Sequence, residues 1–395
     1  MAMAPRKIYL DNSATTQVDS KVLEAMLPYF NVKYGNPNSL HEWGRDARVA
    51  VDSAREKVAG LIGAQPKDII FTGGGSEADN LAVKGLIWSQ KDKSKRHIIT
   101  SAIEHHAMLN TIKWVCKLMD FDYTILPVDS HGFVAPKALE AAIRPDTLLA
   151  SVMFGNNEIG TIEPIEELGE VCHKHGVLFH TDAVQATGHV KIDVSKLPID
   201  MMTMAAHKMY GPKGVGALYV RKGLKLTPLV HGGGQEFGLR SGTENTPGIV
   251  GFGEAAALAA ERLSNGEIEN EARLRDKLLD GLVERIPEII VTGDRVKRLP
   301  YNASICVKYI EGEGMLLLMD AAGIAVSSGS ACTSGSLEPS HVLLAIGLPA
   351  ATAHGSVRMT ISKDVTDEDI DYVLETFPPI VERLRSMSPF YNKKK

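Results

Sequence analysis

A lysine lies directly after an apolar stretch of the sequence, where a charged side chain is unusual. Lys208 follows Met201–Ala205, which is predicted to form a buried strand. Burial in a cleft favours the neutral amine, and a neutral amine can form a Schiff base with an aldehyde. Lys213, between a proline and a glycine, is interpreted as a loop lysine. The alternative for Lys208 is a surface lysine whose head group reaches into solvent.

A carboxylate ends a second apolar stretch, upstream of the lysine. Asp182 follows a predicted strand at residues 177–180. The cofactor pyridoxal 5'-phosphate (PLP) requires an acidic group opposite its pyridine nitrogen, because a protonated ring draws negative charge away from the reacting carbon. Gln185 could hydrogen-bond the hydroxyl group of the same ring. The alternative is that Asp182 only caps a turn at the end of its strand.

Three consecutive glycines connect a predicted strand, residues 68–71, to a predicted helix. Gly73, Gly74 and Gly75 are followed by Ser76. Glycines let the main chain approach a ligand closely, and the amide groups at the start of a helix attract an anion. Ser76 suits the N-cap position and could donate its hydroxyl group to a phosphate. One interpretation of this segment is therefore a phosphate-binding turn.

The same segment also fits a pattern that is typical of dinucleotide binding. Gly73, Gly75 and Ala78 match G-x-G-x-x-[GA] between a strand and a helix, which favours a nicotinamide-dependent oxidoreductase. That pattern also requires an acidic residue at the end of the next strand, and Glu104 lies later than the usual spacing. Glu104 is followed by His105, which suits stacking on a ring better. A tight turn without a ligand is the third alternative.

The four cysteines show no pattern that is typical of a disulfide framework or a zinc site. They lie far apart and form no C-x-x-C pair, so neither feature is expected. Cys116 and Cys172 fall in predicted amphipathic helices and Cys306 in a predicted strand, so we expect all three to be packing residues. Cys332 lies among small residues at 327–336, which predicts a mobile, solvent-accessible loop. By itself, Cys332 could be a linker residue without a function.

Short apolar strands alternate with helices through the first half of the chain. Beyond the stretches given above, the pattern predicts strands at 97–100, 123–127, 148–154 and 215–220 and helices at 43–61, 76–88, 106–119, 136–143 and 164–175. This alternation indicates an α/β fold whose largely parallel sheet is covered on both faces. Ligands of such sheets bind beyond the carboxyl ends of the strands, where Asp182 and Lys208 both fall.

The pattern changes after about residue 250. A long helical stretch at 249–286 is followed by strands at 288–291 and 303–307, a helix at 314–322 and a final amphipathic helix at 367–387. This succession predicts a second, smaller α+β domain.

The composition is that of an ordinary globular protein. Of the 395 residues, 44% are hydrophobic, and the net charge of −5 provides no general attraction to nucleic acid or anionic membranes. The N-terminus contains no apolar core of signal-peptide length, and no apolar run is long enough to span a bilayer. We expect a soluble, cytoplasmic protein whose partners include neither a membrane nor, directly, a nucleic acid.

Six segments together resemble the NifS/IscS-type cysteine desulfurases of the class-V aminotransferase family, which are fold-type-I PLP-dependent transferases. They follow the order of that family over nearly the whole chain, at residues 10–16, 34–37, 156–160, 207–214, 239–243 and 327–334. The resemblance implies a large PLP-binding domain at residues 15–260 with a mostly parallel seven-stranded sheet. It also implies a smaller α+β C-terminal domain, formed by residues 1–14 and 261–395, which carries the cysteine loop.

The resemblance places the cofactor PLP at the strand ends. It implies that Lys208 binds the PLP aldehyde covalently, that Asp182 faces the pyridine nitrogen and that His105 stacks on the ring. Further contacts are implied for the 3-hydroxyl side of the ring, by Asn157 and Gln185, and for the phosphate, by Gly75, Ser76 and His207. Thr243 would add a phosphate contact from the second subunit of a homodimer.

The resemblance also implies a reaction, the conversion of L-cysteine to L-alanine. Arg358 would bind the substrate carboxylate, with Asn157 as a second substrate contact. Lys208 would move the α-proton, and His105 would assist proton transfer. Cys332, as a thiolate, would take the sulfur as a persulfide and pass it to an iron–sulfur scaffold protein or another acceptor. Related alternatives are a selenocysteine lyase and a non-catalytic sulfur carrier, and the presence of the full residue set argues against the carrier.

Overall fold

The computed structural model describes residues 6–329 and 338–391. Its strands are β1 (Ile8–Tyr9), β2 (Ile69–Thr72), β3 (His97–Ser101), β4 (Asp122–Leu126), β5 (Thr147–Ser151), β6 (Leu178–Asp182), β7 (Met201–Ala205), β8 (Gly216–Val220), β9 (Ile289–Val291), β10 (Asn302–Val307), β11 (Ile324–Ala325) and β12 (Ser356–Thr360). Its α-helices are α1 (Ser20–Met26), α2 (Pro28–Asn31), α3 (Glu42–Leu61), α4 (Gly75–Asn80), α5 (Leu86–Ser89), α6 (His106–Met119), α7 (Pro136–Ala142), α8 (Ile165–Lys174), α9 (Thr246–Arg262), α10 (Glu267–Arg285), α11 (Gly312–Ala321), α12 (His341–Ala345), α13 (Ala350–Ala353) and α14 (Asp367–Met387). A π-helical turn, Leu81–Gly85, joins α4 to α5.

A seven-stranded sheet, in the order β2-β8-β7-β6-β5-β3-β4, forms the centre of the fold. β8 runs antiparallel to both of its neighbours, and the other adjacent strands are parallel. Alternate residues of β7 pack into different apolar cores, Met202 and Met204 on one face and Met201 on the other. The sheet is therefore covered on both sides. The predicted α/β class and the mostly parallel seven-stranded sheet are confirmed.

The C-terminal part of the chain contains a three-stranded antiparallel sheet in the order β12-β10-β9. Helices α10 and α11 pack against α14 beside this sheet. The N-terminal strand β1 belongs to the same region, because it pairs in parallel with β11. The domain limits at 15–260 and at 1–14 with 261–395 stay a prediction, and the pairing of β1 with β11 is an argument in their favour.

The predicted helix at 249–286 is two helices, α9 and α10. They are separated at Gly266, whose φ of +89° is a conformation that glycine adopts readily. The side chain of Asn265 accepts a hydrogen bond from the main-chain nitrogen of Glu267 at 3.1 Å, and this contact starts α10. The bounds predicted for α6, β7 and α14 are confirmed.

The cysteines of the described residues are packing residues. Cys172 and Cys306 are buried and Cys116 is half-buried, all three as free thiols. Burial raises the pKa of Cys116 to about 11 and the pKa values of Cys172 and Cys306 to about 12, so none forms a thiolate near neutral pH.

In residues 6–329 and 338–391, no group of three or more ligating side chains could hold a metal ion. No helix of this part of the chain combines the length and the apolar composition that crossing a bilayer requires.

A buried ion pair holds the segment that precedes Thr243. Arg55 of α3 donates two hydrogen bonds to Glu236, each of 2.7 Å, and both side chains are at most 5% exposed. Glu236 also accepts a hydrogen bond from the main-chain nitrogen of Phe71 in β2, at 2.8 Å. The guanidinium group lies 4.7 Å from the centre of the Phe71 ring and 5.0 Å from that of Phe237. This pair therefore fastens the segment to α3 and to the edge of the central sheet.

We expect the substitution Arg55→Leu to lower the free energy of unfolding by about 3–5 kcal/mol, because it leaves the buried Glu236 carboxylate without the cation that neutralises it. Urea titration followed by circular dichroism measures this loss. The matched control is Arg273→Leu, which removes an exposed pair with Asp367 at 2.6 Å and should cost about 0–1 kcal/mol. Equal losses for the two variants would contradict the prediction.

Candidate active site

The carboxyl ends of the parallel strands open into a cavity of about 320 Å³. Nine of the residues predicted for the site line this cavity: Gly75, Ser76, His105, Asn157, Asp182, Gln185, His207, Lys208 and Arg358. Thr243 is exposed and is not among the lining residues of its own chain. Cys332 lies outside the described residues. The structure thus brings together the predicted site residues from strand ends that are far apart in the sequence.

Lys208 ends the short 3-10 helix Ala206–Lys208, which follows β7. Its side-chain amine donates hydrogen bonds to the main-chain oxygens of Ser13 and Ala14, the latter at 2.7 Å. The amine therefore points into the cavity and is held there by the N-terminal segment, and the alternative of a solvated surface lysine is wrong. Ser13 and Ala14 were not predicted as site residues, although both belong to the motif at residues 10–16.

Asp182 ends β6 and is fully buried at the base of the cavity. Its Oδ1 accepts a hydrogen bond from the main-chain nitrogen of Val184 at 2.9 Å, so it does cap the turn that follows. Burial raises the pKa values of both Asp182 and its neighbour Asp79, and the charge of Asp182 raises that of Asp79 further. The charge of Lys208 acts in the opposite direction on Asp182. Asp79 therefore keeps its proton more firmly, and Asp182 is the carboxylate available to a cationic ring nitrogen.

The two cavity histidines are neutral near pH 7. Burial, followed by the charges of Lys208 and His106, lowers the pKa of His105 to about 4. The Nδ1 atom of His105 accepts a hydrogen bond from the main-chain nitrogen of Ala107 at 3.1 Å, as the N-cap of α6. The proton of its neutral ring is therefore on Nε2. Such a ring can stack on a flat ligand and donate a hydrogen bond from its edge.

His207 is neutral for the same reasons as His105. Burial lowers its pKa to about 4, followed by the charges of Lys208 and Lys213. Its Nδ1 atom lies 3.2 Å from the hydroxyl oxygen of Thr15. This contact orients the ring beside the glycine-rich turn, where a neutral imidazole can hydrogen-bond an anion without adding charge.

Arg358, in β12, brings a guanidinium group into the cavity from the C-terminal part of the chain. It is 2% exposed and donates hydrogen bonds to the main-chain oxygen of Asn157 and to Asp11, each at 3.0 Å. Its Nε atom has no hydrogen-bond partner among the described residues. A buried donor without a partner in a cavity wall suits an incoming carboxylate. Asp11, like Ser13, lies in the motif at 10–16 and was not predicted as a site residue.

The glycine-rich turn differs in one detail from the prediction. Gly74, with φ of +151°, is the N-cap of α4, and Ser76 lies inside the helix, so the prediction of Ser76 as N-cap is wrong. Only glycine adopts that main-chain conformation readily, which is why it displaces serine from the cap. A Cβ atom on Gly75 would lie 2.9 Å from Val184, so the turn packs directly against the turn after Asp182. The hydroxyl group of Ser76 still borders the cavity.

The dinucleotide-binding interpretation fails at Glu104. This residue is fully buried, does not line the cavity, and accepts hydrogen bonds from the Ser101 hydroxyl at 2.6 Å and from the main-chain nitrogen of Met153 at 2.8 Å. A carboxyl group that points into the protein interior cannot bind a ribose in the cavity. The nicotinamide-dependent oxidoreductase is therefore excluded on geometry.

The start of the cysteine loop lies beside the cavity. Ser327 forms two main-chain hydrogen bonds with Arg358, of 3.1 and 2.7 Å, and is five residues before Cys332. At the other end of the loop, the hydroxyl group of Ser340 donates to Glu158, whose pKa is raised to about 7 by burial. Ser327 and Ser340, on either side of the segment that contains Cys332, are thus both fixed close to Arg358, which lines the cavity.

A strand-end lysine and an opposing buried acid in one cavity of an α/β fold define the class of protein. The chain belongs to the class-V aminotransferase family, whose model matches residues 8–373. The enzymes of this family are PLP-dependent. The resemblance inferred from the six sequence segments is therefore confirmed.

Individual proteins that are similar to this chain indicate which members of the family it resembles. The chain is 51% identical to the cysteine desulfurase IscS of Methanosarcina thermophila, over 98% of this chain and 95% of that protein. It is 52% identical to the cysteine desulfurase IscS of Clostridium botulinum, over 98% and 97%. Among solved structures, a NifS-like protein matches with a TM-score of 0.89 at 40% identity, over 96% of this chain and all of that one. A NifS-like protein from Rickettsia africae matches with a TM-score of 0.85 at 32% identity, over 95% and 100%.

The buried carboxyl of Glu104 provides a test of the electrostatics beside the cavity. Burial raises its pKa from the usual 4.5 to about 8, so the folded protein holds this proton where the unfolded chain has lost it. The stabilisation from this proton is complete below about pH 4.5 and is lost as the pH rises through about 8. We expect Glu104→Gln, which cannot ionise, to lose less thermal stability than the wild type between pH 6 and pH 9.

Melting temperatures in matched buffers measure the difference. The control Glu284→Gln, on an exposed position of α10, should follow the wild-type curve. Parallel curves for Glu104→Gln and the wild type would show that Glu104 does not titrate in this range.

Proposed function

We propose that this chain is a cysteine desulfurase, which binds PLP through Lys208, converts L-cysteine to L-alanine and receives the sulfur on Cys332. The observation that carries the proposal is the single cavity in which Lys208, Asp182 and Arg358 meet. The reaction has to hold three groups, and each has a counterpart in the cavity. The amine of Lys208 suits the aldehyde of PLP, and the buried acid of Asp182 suits its pyridine nitrogen. The guanidinium group of Arg358, which has a donor without a partner among the described residues, suits the substrate carboxylate.

The residues of the cavity fit PLP. Asp182 is fully buried at its base, Lys208 reaches in from β7, and the glycine-rich turn provides main-chain amides and the hydroxyl group of Ser76 at one end. Neutral His105 and His207 suit ring stacking and phosphate contact. Asn157 and Gln185 also line the cavity, and we propose that they bind the hydroxyl side of the ring.

Each residue of the cavity has a separate task in the proposed reaction. When bound, PLP supplies an electron-accepting ring that stabilises negative charge on the α-carbon. Arg358 binds and orients the carboxylate of cysteine, with Asn157 beside it. The amine of Lys208 takes the α-proton, and the Nε2–H group of His105 assists proton transfer at the edge of the ring. Asp182 keeps the ring nitrogen protonated.

The sulfur moves between two cysteines. The Cβ–Sγ bond of the substrate breaks and an S–S bond to Cys332 forms, so Cys332 becomes a persulfide. The electron pair left on the substrate carbon takes up a proton, and alanine is the second product. Cys332 must attack as the thiolate, because the thiol is a poor nucleophile. Ser327 pairs with Arg358 through the main chain and is five residues before Cys332. Five residues of extended chain span about 17 Å, which is enough for Cys332 to reach the cavity.

We propose that Cys332 passes its sulfur to an iron–sulfur scaffold protein or to another acceptor protein. The support is that full-length relatives at about 50% identity are named as cysteine desulfurase IscS. A cytoplasmic location, without a membrane or a nucleic acid as direct partner, stays a prediction from the sequence.

We propose further that the enzyme is a homodimer in which Thr243 contacts the phosphate in the cavity of the other subunit. Thr243 is exposed, and Arg240 nearby donates to Glu77, in the first turn of α4 after the glycine-rich turn, at 2.9 Å. Large apolar side chains are exposed at many positions in one stretch of the chain, namely Leu23, Leu27, Phe30, Val32, Tyr34, Leu40, Trp43 and Val49. Exposed apolar residues in such number are typical of a subunit interface.

The direct test of the reaction uses Cys332→Ser. The purified wild type incubated with L-cysteine should form alanine and gain the mass of one sulfur on the peptide that contains Cys332. Cys332→Ser should keep the absorbance of the lysine-bound cofactor and lose at least about 100-fold in alanine formation, because the serine hydroxyl cannot attack sulfur. If Cys332→Ser releases sulfur as fast as the wild type, the role of Cys332 is wrong.

Lys208→Ala serves as the second arm of that experiment. It should lose the absorbance of the covalently bound cofactor, whereas the control Lys213→Ala should keep it. An unchanged spectrum for Lys208→Ala would move the cofactor linkage to another lysine. Parallel assays with selenocysteine distinguish a desulfurase from a selenocysteine lyase.

The dimer proposal predicts the effect of Leu40→Asp. A charge at this side chain, which is 91% exposed, should weaken association at least about tenfold in sedimentation equilibrium, because it would be desolvated at the interface. The matched control is Val296→Asp, since Val296 is 86% exposed on the C-terminal part of the chain and should leave association unchanged. A monomeric wild type, or equal effects of both substitutions, would contradict the proposal.

A further inference from the structure

A buried group of charged and aromatic side chains lies behind the main chain of Lys208, outside the cavity. His189, in the turn after β6, is 3% exposed, and its Nε2 atom lies 2.9 Å from the main-chain oxygen of Lys208. The ring of Tyr301 lies against it, with 4.4 Å between ring centres. This histidine has no part in the reaction as described above, although it touches the residue that the reaction depends on.

The hydrogen bonds of His189 decide where its protons are. The carbonyl oxygen of Lys208 can only accept, so Nε2 carries a proton. The other ring nitrogen, Nδ1, lies 3.7 Å from Oε2 of Glu271 in α10. Among the described residues, neither Nδ1 nor Oε2 has a hydrogen-bond partner. A neutral ring would therefore bury two lone pairs facing each other, with both atoms unsatisfied.

A second proton on the ring removes this repulsion, because it turns the 3.7 Å contact into an ion pair. With Nδ1 protonated, His189 is a cation that pairs with the Glu271 carboxylate. The second oxygen of Glu271 accepts a hydrogen bond from Arg262, whose guanidinium group lies 4.7 Å from the centre of the Tyr210 ring. Tyr301 and Tyr210 also face this group, and Arg262 donates a further hydrogen bond to the half-exposed carboxylate of Glu267 at 3.2 Å. The group thus contains two cations and two anions, and a cationic donor strengthens the hydrogen bond to the Lys208 carbonyl.

The turn that carries Lys208 is also held from its other side. The hydroxyl group of Thr16 donates to the main-chain oxygen of His207 at 3.2 Å and accepts from the main-chain nitrogen of Tyr210 at 2.9 Å. Tyr210 has φ of +65°, which a tyrosine adopts only under constraint. The main chain at 207–210 is therefore fixed by two side chains from distant parts of the sequence, Thr16 and His189.

We propose that His189, kept doubly protonated by Glu271, is a positioning residue for Lys208. It acts on the main-chain carbonyl, so that the amine stays aligned with the cavity when Lys208 exchanges its partners and moves a proton. Displacements of about 1 Å in such a group can slow a reaction about 100-fold, so a fixed turn matters to the rate. The inference rests on the proposed function, since it assigns a role in the reaction of Lys208.

Two substitutions at His189 separate positioning from a merely structural role. His189→Leu removes the donor and should lower kcat for alanine formation about 10- to 100-fold, with KM for cysteine within about threefold of the wild type. His189→Gln keeps a donor that can reach the same carbonyl, and should recover kcat to within about fivefold of the wild type. The control is His97→Leu, which removes a buried histidine bonded to Thr147 and Thr124 at the opposite edge of the sheet and should leave kcat unchanged.

The protonation of His189 is measured directly on the holoenzyme labelled with ¹⁵N-histidine. At pH 7.5 the His189 signals, identified by their absence in His189→Gln, should show protons on both ring nitrogens. In Glu271→Gln one of the two protons should be lost, because the carboxylate that stabilises the cation is gone. A wild-type His189 with a single ring proton would overturn the proposal, as would equal kcat values for His189→Leu and His189→Gln.

Failure of this inference differs from failure of the proposed function. If the wild type forms no alanine from cysteine, the proposed function is wrong, and the ¹⁵N signals then decide the protonation of His189 independently. If the wild type forms alanine and all three histidine variants keep its kcat, the positioning role alone is wrong.

Discussion

The amine of Lys208 is held by the main-chain oxygens of Ser13 and Ala14, and much of the structure around the cavity depends on this contact. The segment that provides these oxygens is itself fastened to the C-terminal part of the chain, since the main-chain nitrogen of Ser13 donates to the Thr360 hydroxyl at 3.0 Å. Its neighbour Asp11 pairs with Arg358. One short N-terminal segment therefore connects the lysine of the central sheet with the arginine of the small sheet.

The chemistry of the cavity follows from the cost of burying charge. Asp79 and Asp182 are both buried, and their raised pKa values mean that the pair does not hold two full negative charges at low cost. Burial lowers the pKa values of His105 and His207, and the positive charge of Lys208 beside them acts in the same direction, so both rings stay neutral. The site thus keeps one carboxylate, neutral rings and the cations that its proposed reaction requires. We propose the opposite state for His189, because the Glu271 carboxylate lies 3.7 Å from its Nδ1 atom and can pair with a charged ring.

The sequence predicted the elements well where the apolar periodicity was unbroken, as in β7 and α6, and poorly where a turn interrupts a continuing helical pattern, as at Gly266. The cavity residues that it predicted, such as Lys208 and Asp182, stand at strand ends, where a polar side chain after an apolar run is conspicuous. Residues that act through the main chain, such as Ser13 and Ala14, carry no such signal, because a carbonyl oxygen is common to every residue type. His189 was missed for a similar reason, since Glu271, which faces its ring, comes from a helix that meets it only in the folded chain.

The pairing of β1 with β11 has a consequence for the order in which the enzyme is completed during synthesis. Residues 8–13 are synthesised more than 300 residues before β11 and Thr360, with which they pair. The central sheet can form as soon as β8 has been translated. Until the C-terminal sheet has been made, Arg358 is absent and the N-terminal segment that holds Lys208 lacks its own partners. The cavity is therefore completed only after Arg358 and Thr360 have been synthesised, although the central sheet precedes both in the sequence.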